Sequence, residues 1–264
     1  MFEDLKPHIA DLRKRLVIST ITVVVMFFVC FSYYEPILNW MMVPVEASLP
    51  KNSQMVAVEI QETFFTALQV AFFAGFIISL PVIFWQLWLF FAPGLYDHEK
   101  KLVIPFVFFG TLMFLIGASF AYYIVVPLGF DFLIAFGSAV VTVLPSIGKY
   151  VDFFTKLLFG FGIAFELPVI TFLLAKVGLV DDRMLKDFFR YAIVIIFIVA
   201  ALLTPPDVIS QLLMAAPLIL LYGVSIYIAK VFNPAPKEEE EEELDDNEEE
   251  LDDNEEELDE EKEK

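Results

Sequence analysis

The chain has 264 residues, of which 58% are hydrophobic and 30 are phenylalanine, well above the roughly 45–50% apolar share of a soluble domain. Its formal net charge is −19, but residues 231–264 hold 20 acidic and 3 basic residues and so carry −17 of it, leaving −2 for residues 1–230. A near-neutral apolar body with an acidic tail argues against nucleic-acid binding, which needs a basic surface, and the one cysteine, Cys30, cannot build an intrachain disulfide framework.

The chain opens on a basic cluster, Arg13, Lys14 and Arg15, followed by an apolar run too long for a signal-peptide core, with no small-residue cleavage site after it. That pattern reads as a retained first helix. Six apolar blocks follow one another at 16–36, 67–92, 102–127, 153–177, 191–204 and 208–229. About 20 residues are needed to cross a ~30 Å hydrocarbon core. The first four blocks and the sixth meet that length. The fifth has 14 residues and stops at Thr204-Pro205-Pro206-Asp207, a helix-breaking turn. The last two blocks therefore form either a short hairpin that spans with local thinning of the bilayer or a re-entrant pair, and the flanking charges favour the spanning form.

Basic residues in short connections stay on the cytoplasmic side of a membrane. With the N-terminus inside, Lys6, Arg13, Lys14, Arg15, Lys100, Lys101, Lys176, Arg183, Lys186, Arg190, Lys230, Lys237, Lys262 and Lys264 all fall inside, against Lys51, Lys149 and Lys156 outside. The expected fold is an all-α membrane protein with six transmembrane helices and both termini cytoplasmic. Residues 1–230 form its transmembrane domain. The long outer connections at 37–66 and 128–152 are expected to pack as a cap. Pro81, Pro105, Pro168 and Pro217 predict bent helices, which build concave surfaces. Residues 231–264 repeat with period seven but offer one Leu per heptad and no two-position seam; their dense like charge predicts a disordered, solvated cytoplasmic tail.

Polar groups inside apolar blocks carry the functional information, because each costs several kcal/mol in hydrocarbon. Glu166 lies within Phe161-Gly162-Ile163-Ala164-Phe165-Glu166-Leu167-Pro168 with no basic residue within a turn. It is either a hydrogen-bonded helix-packing group or a group lining a hydrated concavity. Pro168 should kink the helix here, and Gly160 and Gly162 allow another element close by. Glu99, in the connection after the second block, and Asp11, beside the first basic cluster, are each ordinary surface acids, or together an acidic patch able to take a paired cation such as two guanidinium groups. Asp207 is placed to cap the last helix, and Gln211, one turn on, to hydrogen-bond across helices, with an intersubunit contact plausible. No zinc-protease, nucleophile-elbow or P-loop motif occurs, and the two histidines, His8 and His98, are too few for a metal cluster. The chain is expected to be no enzyme and to need no cofactor and no metal.

Five stretches, in order, resemble the TatC family, the signal-peptide receptor subunit of the twin-arginine protein translocase. They are Leu12-Arg13-Lys14-Arg15-Leu16, then Phe90-Phe91-Ala92-Pro93-Gly94-Leu95-Tyr96-Asp97-His98-Glu99, then Gly117-Ala118-Ser119-Phe120-Ala121-Tyr122, the stretch from Phe161 to Pro168, and Leu203-Thr204-Pro205-Pro206-Asp207-Val208-Ile209-Ser210-Gln211. The resemblance covers about residues 5–230 and implies a glove-like, concave six-helix bundle in the bacterial inner membrane. It implies that Glu99 contacts the twin arginines of signal peptides on folded precursors, assisted by Phe90 and Asp11. It implies that Glu166 lines the concave face, and that Thr204, Gln211 and Asp207 belong to a docking site for single-span partners of the TatA/TatB type. Self-association in a larger complex and export driven by the proton-motive force, without nucleotide, complete the implication. The sequence departs from the family where Asp11 replaces a Glu, and in the first outer loop, where Glu62 and Phe64 keep a Pro-x-Glu-x-Phe spacing without its proline. On the residues alone, a small-solute transporter using Glu166 for proton coupling and a structural scaffold remain as alternatives.

Overall fold

The computed structural model describes residues 2–49, 54–91, 103–138, 144–204 and 208–233. Glu99, Asp207 and all but the first residues of the acidic tail lie outside them. Among the described residues there is no β-strand, only an isolated bridge between Val56 and Ser146. The helices are α1 (Phe2–Phe31), α2 (Tyr34–Ser48), α3 (Glu62–Phe91), α4 (Val103–Phe120), α5 (Val126–Ser138), α6 (Ile147–Ala164), α7 (Leu167–Lys176), α8 (Asp182–Leu203) and α9 (Val208–Phe232).

Five helical segments are long and apolar enough to cross a membrane: Ala10–Phe31, Glu62–Phe90, Val103–Ala135, Ile147–Lys176 and Val208–Phe232. Helix α8, read from sequence as part of the fifth span, differs in kind. It runs 22 residues, but its first half carries Asp182, Arg183, Lys186, Asp187 and Arg190, so only the stretch read from sequence as 191–204 is apolar.

The third span overruns its expected end at residue 127. One π-helical turn, Ala121–Val125, joins α4 to α5, and the helix continues to Ser138. Pro127 explains the turn. Proline removes an i→i−4 hydrogen bond and its ring crowds the preceding turn. A local shift to i→i−5 bonding, seen in the Val126 amide donating to Ala121 O, makes room without ending the helix. The fourth span breaks where the sequence predicted, between α6 and α7, with Pro168 in the first turn of α7. Pro105, by contrast, sits in the first turn of α4, where a missing amide donor costs nothing, so it does not interrupt that helix.

The first outer connection contains a helix, α2, that residue pattern alone did not single out. Pro44 inside α2 leaves the Trp40 carbonyl without its helical donor, and Tyr122 Oη donates to that oxygen at 2.9 Å, with the Tyr122 and Trp40 rings stacked 4.4 Å apart. Tyr150 Oη donates to Met41 O at 2.5 Å. Two tyrosines from the third and fourth spans thus hold α2 down as the expected cap.

Close backbone approaches set the helix registers. A Cβ added at Gly75 of α3 would sit 2.7 Å from the Phe27 amide nitrogen of α1. One at Gly117 of α4 would sit 2.5 Å from Phe161 O of α6, and one at Gly162 would meet the Phe114 ring at 2.5 Å. These glycines let two helix pairs, α1–α3 and α4–α6, approach closely. Helix α7 closes with Gly178 at φ +78°, and the Leu179 amide donates to Leu174 O at 2.9 Å, a left-handed C-terminal cap. Asp181 then caps α8, accepting from the Met184 amide at 2.7 Å.

Candidate functional site

The end of the bundle opposite the cap brings together the start of α1 and the end of α3. From the Phe27–Gly75 crossing, Asp11 lies 16 residues back along α1 and Phe90 lies 15 residues on along α3. At 1.5 Å per residue each is about 23 Å from the crossing, so the two stand level. Phe90 is half-buried. Asp11 Oδ2 accepts from Arg15 Nε at 2.8 Å and from Nη2 at 2.7 Å, a fork-like, charge-assisted pair one helical turn apart. Its side chain remains 38% exposed. The acid read as a receptor for a visiting guanidinium already holds one from its own helix. Glu99, read as its companion, lies in the segment outside the described residues.

About 9 Å deeper than Phe90 is the level of Phe84, six residues earlier on α3. Here Gly110 of α4 faces Phe84, and Glu166 Oε2 lies 3.4 Å from where a Cβ on Gly110 would be. The local chain explains the approach: α6 ends at Ala164, α7 starts at Leu167, and the break aims Glu166 at the notch left by a residue without a side chain. Glu166 is only 6% exposed, and its carboxyl oxygens make no well-formed hydrogen bond among the described residues, although the Phe114 backbone amide lies close to them. Trp88 Nε1, in the Phe84–Phe106–Trp88 aromatic cluster beside it, has none either. Glu166 is the group that the resemblance implies on the concave face. Its side chain is packed against α4, because Gly110 and the helix break give it a slot.

The α8–α9 hairpin holds the third expected group. Thr204 Oγ1 donates to Ala200 O at 2.8 Å. Gln211 Nε2 donates to Phe197 O at 3.0 Å, tying α9 to α8. Leu203 at the hairpin tip packs onto Gly160, near the middle of the fourth span, Ile147–Lys176. The rest of α6 rises past the tip, and a cleft of about 520 Å³ opens there between α3, α6 and α8. Its polar lining is Gln69, whose Nε2 donates to Thr155 Oγ1 at 2.9 Å, and the Lys156–Asp152 pair at 2.7 Å. Sequence reasoning did not pick out these four residues. The signal was there: Gln69 is an amide inside an apolar block, and Asp152 and Lys156 are opposite charges four apart.

Glu62, noted for its spacing but given no role, has the densest set of partners of any acid described. Its Oε2 accepts from the Val58 amide at 2.5 Å and the Glu59 amide at 3.1 Å. Its Oε1 accepts from the Gly148 amide at 2.7 Å and from the Ser146 hydroxyl. The Val58 and Glu59 contacts close the turn before α3; the Ser146 and Gly148 contacts clamp the second outer connection onto the first.

The sequence model of the family described as Sec-independent protein translocase protein (TatC) matches residues 7–217. A Campylobacter jejuni protein described as Sec-independent protein translocase protein TatC is 55% identical over 249 residues, covering 92% of this chain and 100% of the relative. A Helicobacter pylori protein of the same description is 53% identical over 240 residues, covering 91% of this chain and 92% of the relative. A solved structure, the crystal structure of the twin arginine translocase receptor TatC, superposes with a TM-score of 0.79 at 38% identity, over 85% of this chain and 98% of that one.

Proposed function

The chain belongs to the TatC family of the Sec-independent protein translocase, and from that premise we propose that it is a non-enzymatic membrane subunit that receives twin-arginine signal peptides of folded precursors at its cytoplasmic face. Both termini are cytoplasmic in this reading, residues 1–230 are the transmembrane domain, and residues 231–264 are a solvated tail. Glu99 and Asp11 take the two arginines, and Phe90 packs against the peptide beside them. Paired guanidinium groups carry fixed charge and a rigid donor fork that suits carboxylates, and the pairing is worth more at the low-dielectric membrane boundary than in water. The single observation that carries the reading is that Asp11 and Phe90 stand level at one end of the α1–α3 pair, with the loop that holds Glu99 starting directly after α3.

The α8–α9 hairpin, with Thr204, Gln211 and Asp207, is the docking place for TatA/TatB-type single-span subunits. What supports this is the short hairpin and the cleft beside its tip, which leave a flank of α6 open to another helix. The membrane potential and proton gradient drive export, with no nucleotide.

Photocrosslinking from residues 90 and 99 to a twin-arginine precursor, with a twin-lysine control, tests the receptor site. Glu99→Gln is expected to remove crosslinking and export together, a loss of at least about tenfold for one charge-assisted pair. Unchanged labelling in Glu99→Gln, or equal labelling by the twin-lysine control, overturns the assignment.

A further inference from the structure

Between α4, α7 and α9, at the end of the bundle away from the cap, is a cavity of about 320 Å³ whose lining is almost wholly apolar. Phe109, Met113, Val169, Phe172, Ile228 and Phe232 form most of its wall, and the Phe172 and Phe232 rings meet edge to face at 4.7 Å. Its size lies within the range of ligand pockets, about 300–1,000 Å³. Water is a poor occupant, since it needs two to four polar partners. A void would forfeit the dispersion contacts of every lining ring. The cavity opens beside helices that cross a bilayer, so hydrocarbon is the solvent at hand.

A charge marks its rim. Lys176, the last residue of α7, lies four residues after Phe172 and three after Leu173, another lining residue, which puts it on the cavity face of the helix, one turn nearer the membrane surface. Its side chain is exposed and makes no ion pair among the described residues. The nearest acids on the α7–α8 turn are engaged elsewhere: Asp181 caps the Met184 amide and Asp182 pairs with Lys186 at 2.5 Å. A hydrocarbon slot capped at the interface by an ammonium that is unpaired among the described residues matches the two halves of one molecule.

We propose that this cavity seats one acyl chain of an anionic phospholipid, with Lys176 holding its phosphate. A lysine at this depth reaches the interface by snorkelling, and a basic group at the mouth of an inter-helix pocket recognises acidic headgroups. The site depends on the chain being in a membrane and is independent of the signal-peptide reading, so either can fail alone.

The test uses the purified full chain in mixed micelles with phosphatidylglycerol or phosphatidylcholine, each carrying a photoreactive group on the acyl chain, with labelled residues mapped by mass spectrometry. Labelling is expected to concentrate on α4, α7 and α9 around Met113, Val169 and Ile228, and to favour phosphatidylglycerol. Lys176→Gln should reduce that preference about fivefold while leaving phosphatidylcholine labelling alone. Val169→Phe should fill the slot and reduce labelling by both lipids; if it fails to fold, Met113→Phe serves the same purpose. Labelling spread evenly around the bundle, a lipid preference unmoved by Lys176→Gln, or a polypeptide segment found in the slot instead of lipid overturns the proposal.

Discussion

Glu62 and Glu166 both stand at the start of a helix, and the cap and the interior of the bundle treat them in opposite ways. At the cap, Glu62 is met by three backbone amides and a hydroxyl drawn from two connections more than 80 residues apart. At the α6–α7 break, Glu166 is packed against Gly110 with no well-formed hydrogen bond among the described residues, only the Phe114 backbone amide lying close by. A carboxylate surrounded by donors locks the segments that supply them. A buried carboxyl group without donors costs stability, and a fold keeps it only if something else depends on it. The contrast assigns the cap a structural role and leaves Glu166 as the group whose presence folding does not explain.

The largest expected effect tests the first half of that contrast. Glu62→Leu removes the acceptor shared by residues 58, 59, 146 and 148, so the second outer connection loses its tether. Limited proteolysis from the outer side should cut around residues 144–148 faster, on the order of tenfold, and Glu62→Gln should recover part of the protection, since its one carbonyl oxygen can serve some of the four donors. Equal cleavage in Glu62→Leu and the parent chain would remove the clamp from the account.

Glu166→Leu tests the other half, with the opposite sign. Replacing an unsatisfied buried acid with an apolar group of similar size should stabilise the chain by about 1–3 kcal/mol, read as a higher unfolding temperature in detergent. Export should nevertheless fall, since the gain comes from deleting a group kept for function. A variant that is less stable than the parent would mean that Glu166 has a partner in the membrane, and the contrast with Glu62 would disappear.

The same contrast marks how far the sequence could be read. The spans were legible because hydrocarbon imposes length and composition on them, and the break near Glu166 was legible because proline acts on its own backbone. Gly162 was legible as a place of close approach, although its neighbour, Phe114, was not. The Glu62 clamp was hidden because its donors lie in two connections, and nothing local to either says which folds against which. The continuation of the third span past residue 127 was hidden for another reason: Pro127 looks like a stop, and the π turn that absorbs it depends on the packing of its neighbours. The hydrogen bond from Gln211 to Phe197 O was hidden, because a polar group in an apolar run announces a need for a partner without saying on which helix it lies. The Asp11–Arg15 pair was within reach, being an i,i+4 pair on an evident helix, and was passed over for a functional partner.

Asp11 supplies the smallest expected effect and falls between the two extremes. Its partner is present but exchangeable, since a partly exposed i,i+4 pair is worth under about 1 kcal/mol. An arriving arginine can displace Arg15 at little cost, whereas it could not displace the amides around Glu62 without opening the cap. Asp11→Asn should therefore leave stability nearly unchanged while lowering twin-arginine crosslinking at residue 90 by about two- to fivefold, the range of a weak surface pair. The deficit should shrink as salt is raised, because screening weakens the parent pairing and leaves an amide unaffected. Asp11→Glu, which keeps the charge and lengthens the reach, should match or exceed the parent. If Asp11→Asn instead destabilises the chain as Glu62→Leu does, the Arg15 pair is a fixed part of α1, and Asp11 has no capacity left for a signal peptide.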